Sequence, residues 1–444
     1  MKSVKEPEGG SHSMPGQRKR KSSPGTVCML TVTILVLAGT GIVLNRMSSG
    51  TPADVSRLQQ KTPDLIVQDE AEAERQQNAS LPTGTAAAAV QTAVPVPEKE
   101  IRTEEKTFSI TVAGTVSLSG EVRQNSYISD VKQYDYYDTM MLLKKELQSD
   151  INLVFLENLL SENGSTSDVT ASDAAAVMLR SAGFNTAACG FPKAFDKEDT
   201  GIRATRKLLQ ENGIEALGIY ADEADDHFLM TELRHMQIAM LQYTDTIPAA
   251  TRRSMTKKGI NGLVPAADAE SIAADIAQAK KQGADAVLVF LNWGKTGKSP
   301  DKAMRALAQR VADAGADLIV GSGSRIVSGA DLLTAAGTGR QVLCVWSLGT
   351  LLSGDRSSIS RIAGMMLQLE FSVGEEQAEM RSVRYIPLYT WKYKQDGRYQ
   401  YRCLAADEKF PDGMDSDQQK RMEKARETVR NAMKNSPAEA REIE

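Results

Sequence analysis

Histidine and cysteine are scarce in this chain: three and four residues in 444. A Ser-His-Asp hydrolase needs a histidine beside a nucleophile. Beyond the N-terminal region only His227 and His235 are present, close together in a segment that reads as a hairpin, where surface positions suit them better than catalysis. The four cysteines, Cys28, Cys189, Cys344 and Cys403, have no CxxC spacing, so neither a disulfide framework nor a thiolate metal cluster is implied. Cys28 lies in an apolar run, and the other three read as small buried hydrophobes. A basic excess is also missing. Lys and Arg number 53 against 57 Asp and Glu, a net charge of −4, which argues against nucleic acid as a partner.

Aromatic residues are absent from residues 45–107, a stretch rich in Ala, Gln, Glu, Thr and Pro, as in Ala86-Ala87-Ala88-Ala89 and Pro95-Val96-Pro97. Such a segment cannot bury enough apolar surface to offset its ordering entropy and is expected to be a disordered stalk over 45–106, reaching roughly 40–45 Å as a coil. Aromatics begin at Phe108 and end at Phe410, marking one large globular domain over 107–412 with room for a sizeable core. A charged helix or tail is expected over 413–444.

What precedes the stalk is a charge-free run of 18 residues, Val27 to Leu44. It is just long enough to cross a bilayer core as a helix. Six Lys or Arg and two Glu lie in the first 25 residues, and only Arg46 follows the run closely. The positive-inside rule then assigns 1–26 to the cytoplasm as a basic tail, 27–44 to the membrane and the rest to the far side. A cleaved signal peptide fits less well, because its apolar run would be shorter and a small-x-small site would follow. An uncleaved anchor of a single-pass cell-membrane protein is the expectation, with the membrane as a partner.

Within the domain, Phe108–Ala113 reads as a strand ending at Gly114, followed by a helix over 139–148 and a buried strand over 153–157. A helix over 171–181 stopping at Gly183, a strand at 185–189, a helix over 202–211 and a strand at 215–219 come next. A hairpin over 228–243 turns near His235. Helices over 269–281 and from Pro300 to Ala314 lead to strands 286–291 and 317–320, and a strand at 342–346 follows. Residues 362–373, 382–393 and 399–404 read as successive antiparallel strands, and 415–435 as a surface helix or tail with a thin Met422/Val429/Met433 stripe. Alternation first and a meander afterwards indicate an α/β fold with an α+β tendency, two packed mixed sheets flanked by helices.

Two glycine-rich loops are candidate phosphate binders. Asn292-Trp293-Gly294-Lys295-Thr296-Gly297-Lys298-Ser299 follows a strand and precedes a helix but has Asn where a P-loop requires its first Gly. Gly321-Ser322-Gly323-Ser324-Arg325-Ile326 has Ile where a dinucleotide fingerprint requires Gly. Both read as tight loops, and the carboxylates Asp222/Glu223 and Asp225/Asp226 read as solvated charge.

The strand-end loops nevertheless follow an order. Gly114-Thr115 closes the first strand and Phe155-Leu156-Glu157 the second. Gly183-Phe184-Asn185 leads to Gly190-Phe191-Pro192-Lys193, Asp196 and Gly201. Asn292-Trp293-Gly294 is followed by Pro300, and Ala314-Gly315-Ala316-Asp317 by Gly321-Ser322-Gly323-Ser324-Arg325, then Ser347-Leu348-Gly349-Thr350. Over about residues 107–393 this series resembles the CapA capsule-synthesis family. Those are membrane-anchored proteins of poly-γ-glutamate capsule production, with a fold similar to the calcineurin-like metallophosphoesterases, a four-layer sandwich. The family's motifs run Gly-Asp, Asn-Leu-Glu, Gly-Phe-Asp, Ala-Asn-Asn-His, His-Trp-Gly, Gly-His-His-Pro-His and Ser-Leu-Gly-Asn.

The departures all fall at one place. Where the family has the Asp, Asn and His residues of a set suited to two metals, this chain has Thr115, Phe191, Pro192, Lys193, Asn292, Gly323 and Arg325. Only Glu157 and Asp196 remain as carboxylates, and Lys193 and Arg325 would repel a divalent ion. The resemblance therefore implies the fold without its dinuclear chemistry: no catalytic residue, no metal and no cofactor is expected. Two readings of the vacated pocket stay open. Glu157 pairs with Lys193 or Arg325 and the pocket is closed, or Lys193 and Arg325 hold an anion, with Thr115, Asn292, Ser322 and Ser324 as donors.

Three function classes follow: a non-catalytic accessory or scaffold of capsule or envelope-polymer synthesis, a hydrolase with a metal-independent site, and an extracytoplasmic anion sensor. The implied partners, an anionic polymer and the capsule ligase and export components, come from the resemblance alone.

Overall fold

The computed structural model describes residues 106–162, 166–222, 225–245, 247–258, 261–374 and 378–440. The basic tail, the apolar run Val27–Leu44 and the stalk lie outside the described residues. Among those described, no helix is long and apolar enough to cross a membrane.

Two mixed sheets are stacked face to face. The first holds β1 (Lys106–Val116), β2 (Ile151–Leu156), β3 (Thr186–Ala188) and β4 (Glu215–Leu217). The second holds the hairpin β5 (Phe228–Leu233) and β6 (Met236–Thr244), then β7 (Ala286–Asn292), β8 (Leu318–Ser322), β9 (Val327–Thr334) and β10 (Gln341–Leu348). The chain then returns to the first sheet with β11 (Thr350–Leu352), β12 (Ala363–Val373), β13 (Ala378–Gln395), β14 (Arg398–Ala405) and the short β15 (Glu439–Ala440). The strand orders are β14-β13-β12-β1-β2-β3-β4 and β9-β10-β8-β7-β6-β5, with β11 beside β1 and β15 beside β13. Strands β1 to β4 run parallel, as do β6, β7, β8 and β10, so their C-terminal ends gather at one end of each sheet.

Side-chain alternation builds the layers. Ile110, Val112, Leu153 and Phe155 of the first sheet meet Ile238, Met240, Leu288, Phe290, Val320 and Val345 of the second in the central core. On the outer face of the first sheet, Val154 and Leu156 pack under α1 (Ala174–Ala182) and α2 (Glu198–Glu211). On the outer face of the second, Leu241, Val289, Leu291 and Ile319 pack under α3 (Ala269–Lys281) and α4 (Lys302–Asp313). The result is a helix–sheet–sheet–helix sandwich.

Three expectations are corrected. The helix expected over 139–148 is a pair of 3₁₀ turns, Tyr137–Thr139 and Met141–Glu146. Its buried positions Met140, Leu143 and Glu146 recur every third residue, which a three-residue turn places on one face. Val327–Thr334 is a strand that Gly329 and Asp331 concealed; antiparallel pairing with β10 supports it. The C-terminal segment is more than a solvated helix. In α5 (Ser416–Met433), opened by an Asp415/Gln418 capping box, Met422, Ala425, Val429 and Met433 all join the central core. Each such full burial of a Val or Met is worth about 1.5–3 kcal/mol. Ser436 just beyond accepts the Ala330 N–H, fixing the helix end to β9.

Candidate functional site

The C-terminal strand ends converge on a cleft of about 790 Å³ between the two sheets. From the first sheet come Ser117, Ser119, Glu157, Phe191, Pro192 and Lys193, and from the second Asn292, Gly294, Lys295, Gly323 and Arg325. Ser353, Gly354 and Asp355 close it after β11, with Glu121, Asp168 and Val169 on the rim.

Backbone contacts hold the floor. The Thr115 N–H donates to Gly349 O at 3.0 Å, and the Glu157 N–H to Val116 O at 2.9 Å. The Thr115 and Ser322 hydroxyls share a hydrogen bond of 2.7 Å that ties one sheet to the other. Behind the cleft, the Trp293 indole donates to Trp346 O at 3.0 Å, and the two rings stack at 5.7 Å. Gly323 stands at φ +102°, and a Cβ there would lie 2.8 Å from Trp293 O, so the crossing of these loops requires glycine. The loop bearing Lys193 is clamped by the buried Gln242, which accepts the Gly190 N–H at 2.7 Å and donates to Gly190 O at 2.8 Å.

The centre of the cleft is an ion pair. The Arg325 guanidinium bonds one Glu157 carboxylate oxygen, and the Asn292 amide donates to the other at 3.1 Å. The Glu157 side chain is 8 % exposed and that of Arg325 27 %. Arg325 itself sits at φ +58°, an uncommon left-handed position for a residue with a Cβ, and Thr350 Oγ1 donates to its carbonyl at 3.2 Å.

The eight residues singled out from the sequence separate into three groups. Glu157, Lys193, Asn292 and Arg325 face the cleft together. Thr115, Ser322 and Ser324 are buried beneath it, the first two bonded to each other and Ser324 to Ile326 O at 3.2 Å, so they do not stand as free donors to a ligand. Asp196 is exposed on the turn after Lys193 and does not line the cleft. Between the two pairings left open for Glu157, the structure selects Arg325. His227 and His235 are also away from the cleft, His227 near Asp275 and His235 in the hairpin turn. Glu121, Asp168 and Asp355 carried no local signal: they reach the cleft from segments remote in sequence. Lys295 belongs to the glycine-rich loop after β7 that the sequence offered as a candidate phosphate binder, and it lines the cleft.

This donor set does not fit a dinuclear metal centre. The central carboxylate is held by a guanidinium, and the neighbouring hydroxyls are bonded to one another. Among the described residues, no three His, Cys, Asp or Glu side chains come together as a ligand cluster.

The fold and cleft thus define a two-sheet α/β sandwich whose strand-end site carries an ion pair at its centre. Residues 109–355, more than half of the chain, match the bacterial capsule synthesis protein family PGA_cap, and the chain belongs to that family. Over 129 residues it is 32 % identical to the PGA biosynthesis protein CapA of Bacillus subtilis strain 168, a stretch that is 28 % of this chain and 33 % of the relative. The match therefore spans about a third of that curated relative's length. Among solved structures, it is similar to a hypothetical protein of Thermus thermophilus at a TM-score of 0.37 and 12 % identity, covering 63 % of this chain and 98 % of the other. The calcineurin-like phosphoesterase YfkN of Bacillus subtilis has a TM-score of 0.37 and 12 % identity, with 73 % and 99 % covered.

Proposed function

We propose that this chain is a non-catalytic accessory or scaffold protein of capsule or envelope-polymer biosynthesis, held in the cell membrane by Val27–Leu44 with its folded domain outside. The observation that carries the reading is the Glu157–Arg325 pair, because a guanidinium stands against the one central carboxylate and repels the cation a phosphoesterase of this type would need. Family membership supports the link to capsule synthesis, and the charge-free run behind a basic tail supports the anchor. The implied partners are the membrane, an anionic polymer and the ligase and export components of the pathway.

The direct test is metal content by plasma mass spectrometry on the purified full-length chain after incubation with manganese, zinc and iron, together with a phosphodiester hydrolysis assay. Metal near zero per chain and no turnover are expected. One or two tightly held metals, or metal-dependent hydrolysis, overturns the non-catalytic reading. The anchor is tested separately: the chain should stay with membranes through a carbonate wash, and its domain should be open to protease added outside intact cells.

A further inference from the structure

The charges lining the cleft do not cancel. Four carboxylates face it against three lining cations, but each carboxylate has a cationic partner, and three of those partners, Lys392, Arg123 and Arg361, stand outside the lining. Glu157 bonds Arg325, Glu121 bonds Lys392 at 2.5 Å, Asp168 lies 3.5 Å from Arg123, and Asp355 lies 3.8 Å from Arg361. Asp355 also accepts both the N–H and the hydroxyl of Ser357. Two lining cations are left over. Lys193, on the loop after β3, and Lys295, on the loop after β7, are exposed and have no ion-pair partner among the described residues. One comes from each sheet, so they stand on the two sides of the cleft. Arg325, by contrast, is committed to Glu157.

From this residual charge we infer that the cleft binds a ligand carrying at least two anionic groups, with Lys193 and Lys295 as its counter-charges and Arg325 as part of the floor. The inference rests on the same cleft as the non-catalytic reading and adds the class of its ligand. The volume of about 790 Å³ falls within the roughly 300–1,000 Å³ of small-molecule sites and is ample for more than a single phosphate or carboxylate. The Ser117, Ser119 and Ser353 side chains line the same space as polar contacts, and Phe191, Pro192 and Val169 give it an apolar side. Lysine heads are strongly hydrated point charges that do not demand the planar geometry of one carboxylate. They suit separated charges along a molecule, whether phosphate or carboxylate.

The test is calorimetric titration of the metal-free, full-length chain in non-ionic detergent with three probes: inorganic phosphate, tripolyphosphate and a tetra-aspartate peptide. At least one multivalent probe should bind, tightly enough to exceed phosphate clearly. The tighter of the two names the anionic group. K193A/K295A should weaken that binding about tenfold, the scale of two partly solvated charge contacts. Lys298→Ala, an exposed lysine outside the cleft, should leave it unchanged. Melting temperatures of all variants should match the parent, because none of these lysines holds an ion-pair partner among the described residues.

The inference is overturned by no binding of either multivalent probe, by phosphate binding as tightly as the tighter of the two, or by K193A/K295A binding like the parent. Metal content and hydrolysis, measured on the same preparation, report on the non-catalytic reading independently, so the two can fail separately.

Discussion

Arg325→Ala should destabilise the domain by about 2–3 kcal/mol, and the reason is the carboxylate it leaves behind. Removing one partner of a buried pair costs about 3–5 kcal/mol, because the other charge stays desolvated. Here the side chains are 27 % and 8 % exposed and the cleft admits water, so the lower part of that range applies, reduced further by the Asn292 bond that persists. Alanine inherits the φ of +58°, so backbone strain is common to both proteins and drops out. Glu157→Gln should cost less, about 1–2 kcal/mol, since Asn292 can still donate to the amide oxygen and Arg325 can turn toward water. E157Q/R325A leaves no unpaired charge. It should therefore cost less than the two single changes together, with a coupling of about 1–2 kcal/mol. Urea unfolding, followed by circular dichroism and by the fluorescence of Trp293 and Trp346, gives the four stabilities. Additivity within about 0.3 kcal/mol, or an Arg325→Ala variant as stable as the parent, would refute the ion pair as the organising contact of the site.

Other consequences are as readily measured. Gln242→Leu should cost about 2–4 kcal/mol, because it strands the Gly190 N–H and carbonyl in a buried place; the Gly190 amide should then exchange hydrogen faster than in the parent. Burial pushes the Cys189 and Cys403 thiols up to about 12 and raises Cys344 well above the ordinary thiol range. A thiol reagent should therefore react with these three only after denaturant is added, as mass spectrometry of the labelled peptides would show. The Lys392 ammonium, through its hydrogen bond, holds the Glu121 carboxyl below its usual range. A depressed carboxylate contributes stability above its unfolded pKa and loses it as pH falls through the folded one. Glu121→Gln should then unfold more easily than the parent at neutral pH, with the gap closing in acid titrations as pH falls through and below the ordinary carboxylate range.

The layering was legible in the chain read alone. Parallel strands buried on both faces announce themselves as continuous apolar runs, and Ala286–Leu291 and Leu153–Leu156 stand where those runs lie. The order of the strand-end loops was legible for the same reason: each loop follows a strand whose position the apolar pattern fixes. The absence of histidine from those loops was legible directly in the sequence.

What required the folded molecule was everything resting on pairing between distant segments. Val327–Thr334 becomes a strand only beside β10, and the Met422/Val429/Met433 stripe becomes core only where it closes the space beside β9, β12 and β13. Residue type could not choose between Lys193 and Arg325 as the partner of Glu157. The choice follows from the turn after β8, where Arg325 is held in a left-handed conformation with its side chain against Glu157. Nor could it show that Thr115 and Ser322 consume each other's hydroxyls, or that Lys295 shares a cleft with Lys193. Local periodicity records which face of an element is buried. Which side chains then meet across two sheets is decided by the stacking of those sheets, and that is where the charge balance of this cleft is set.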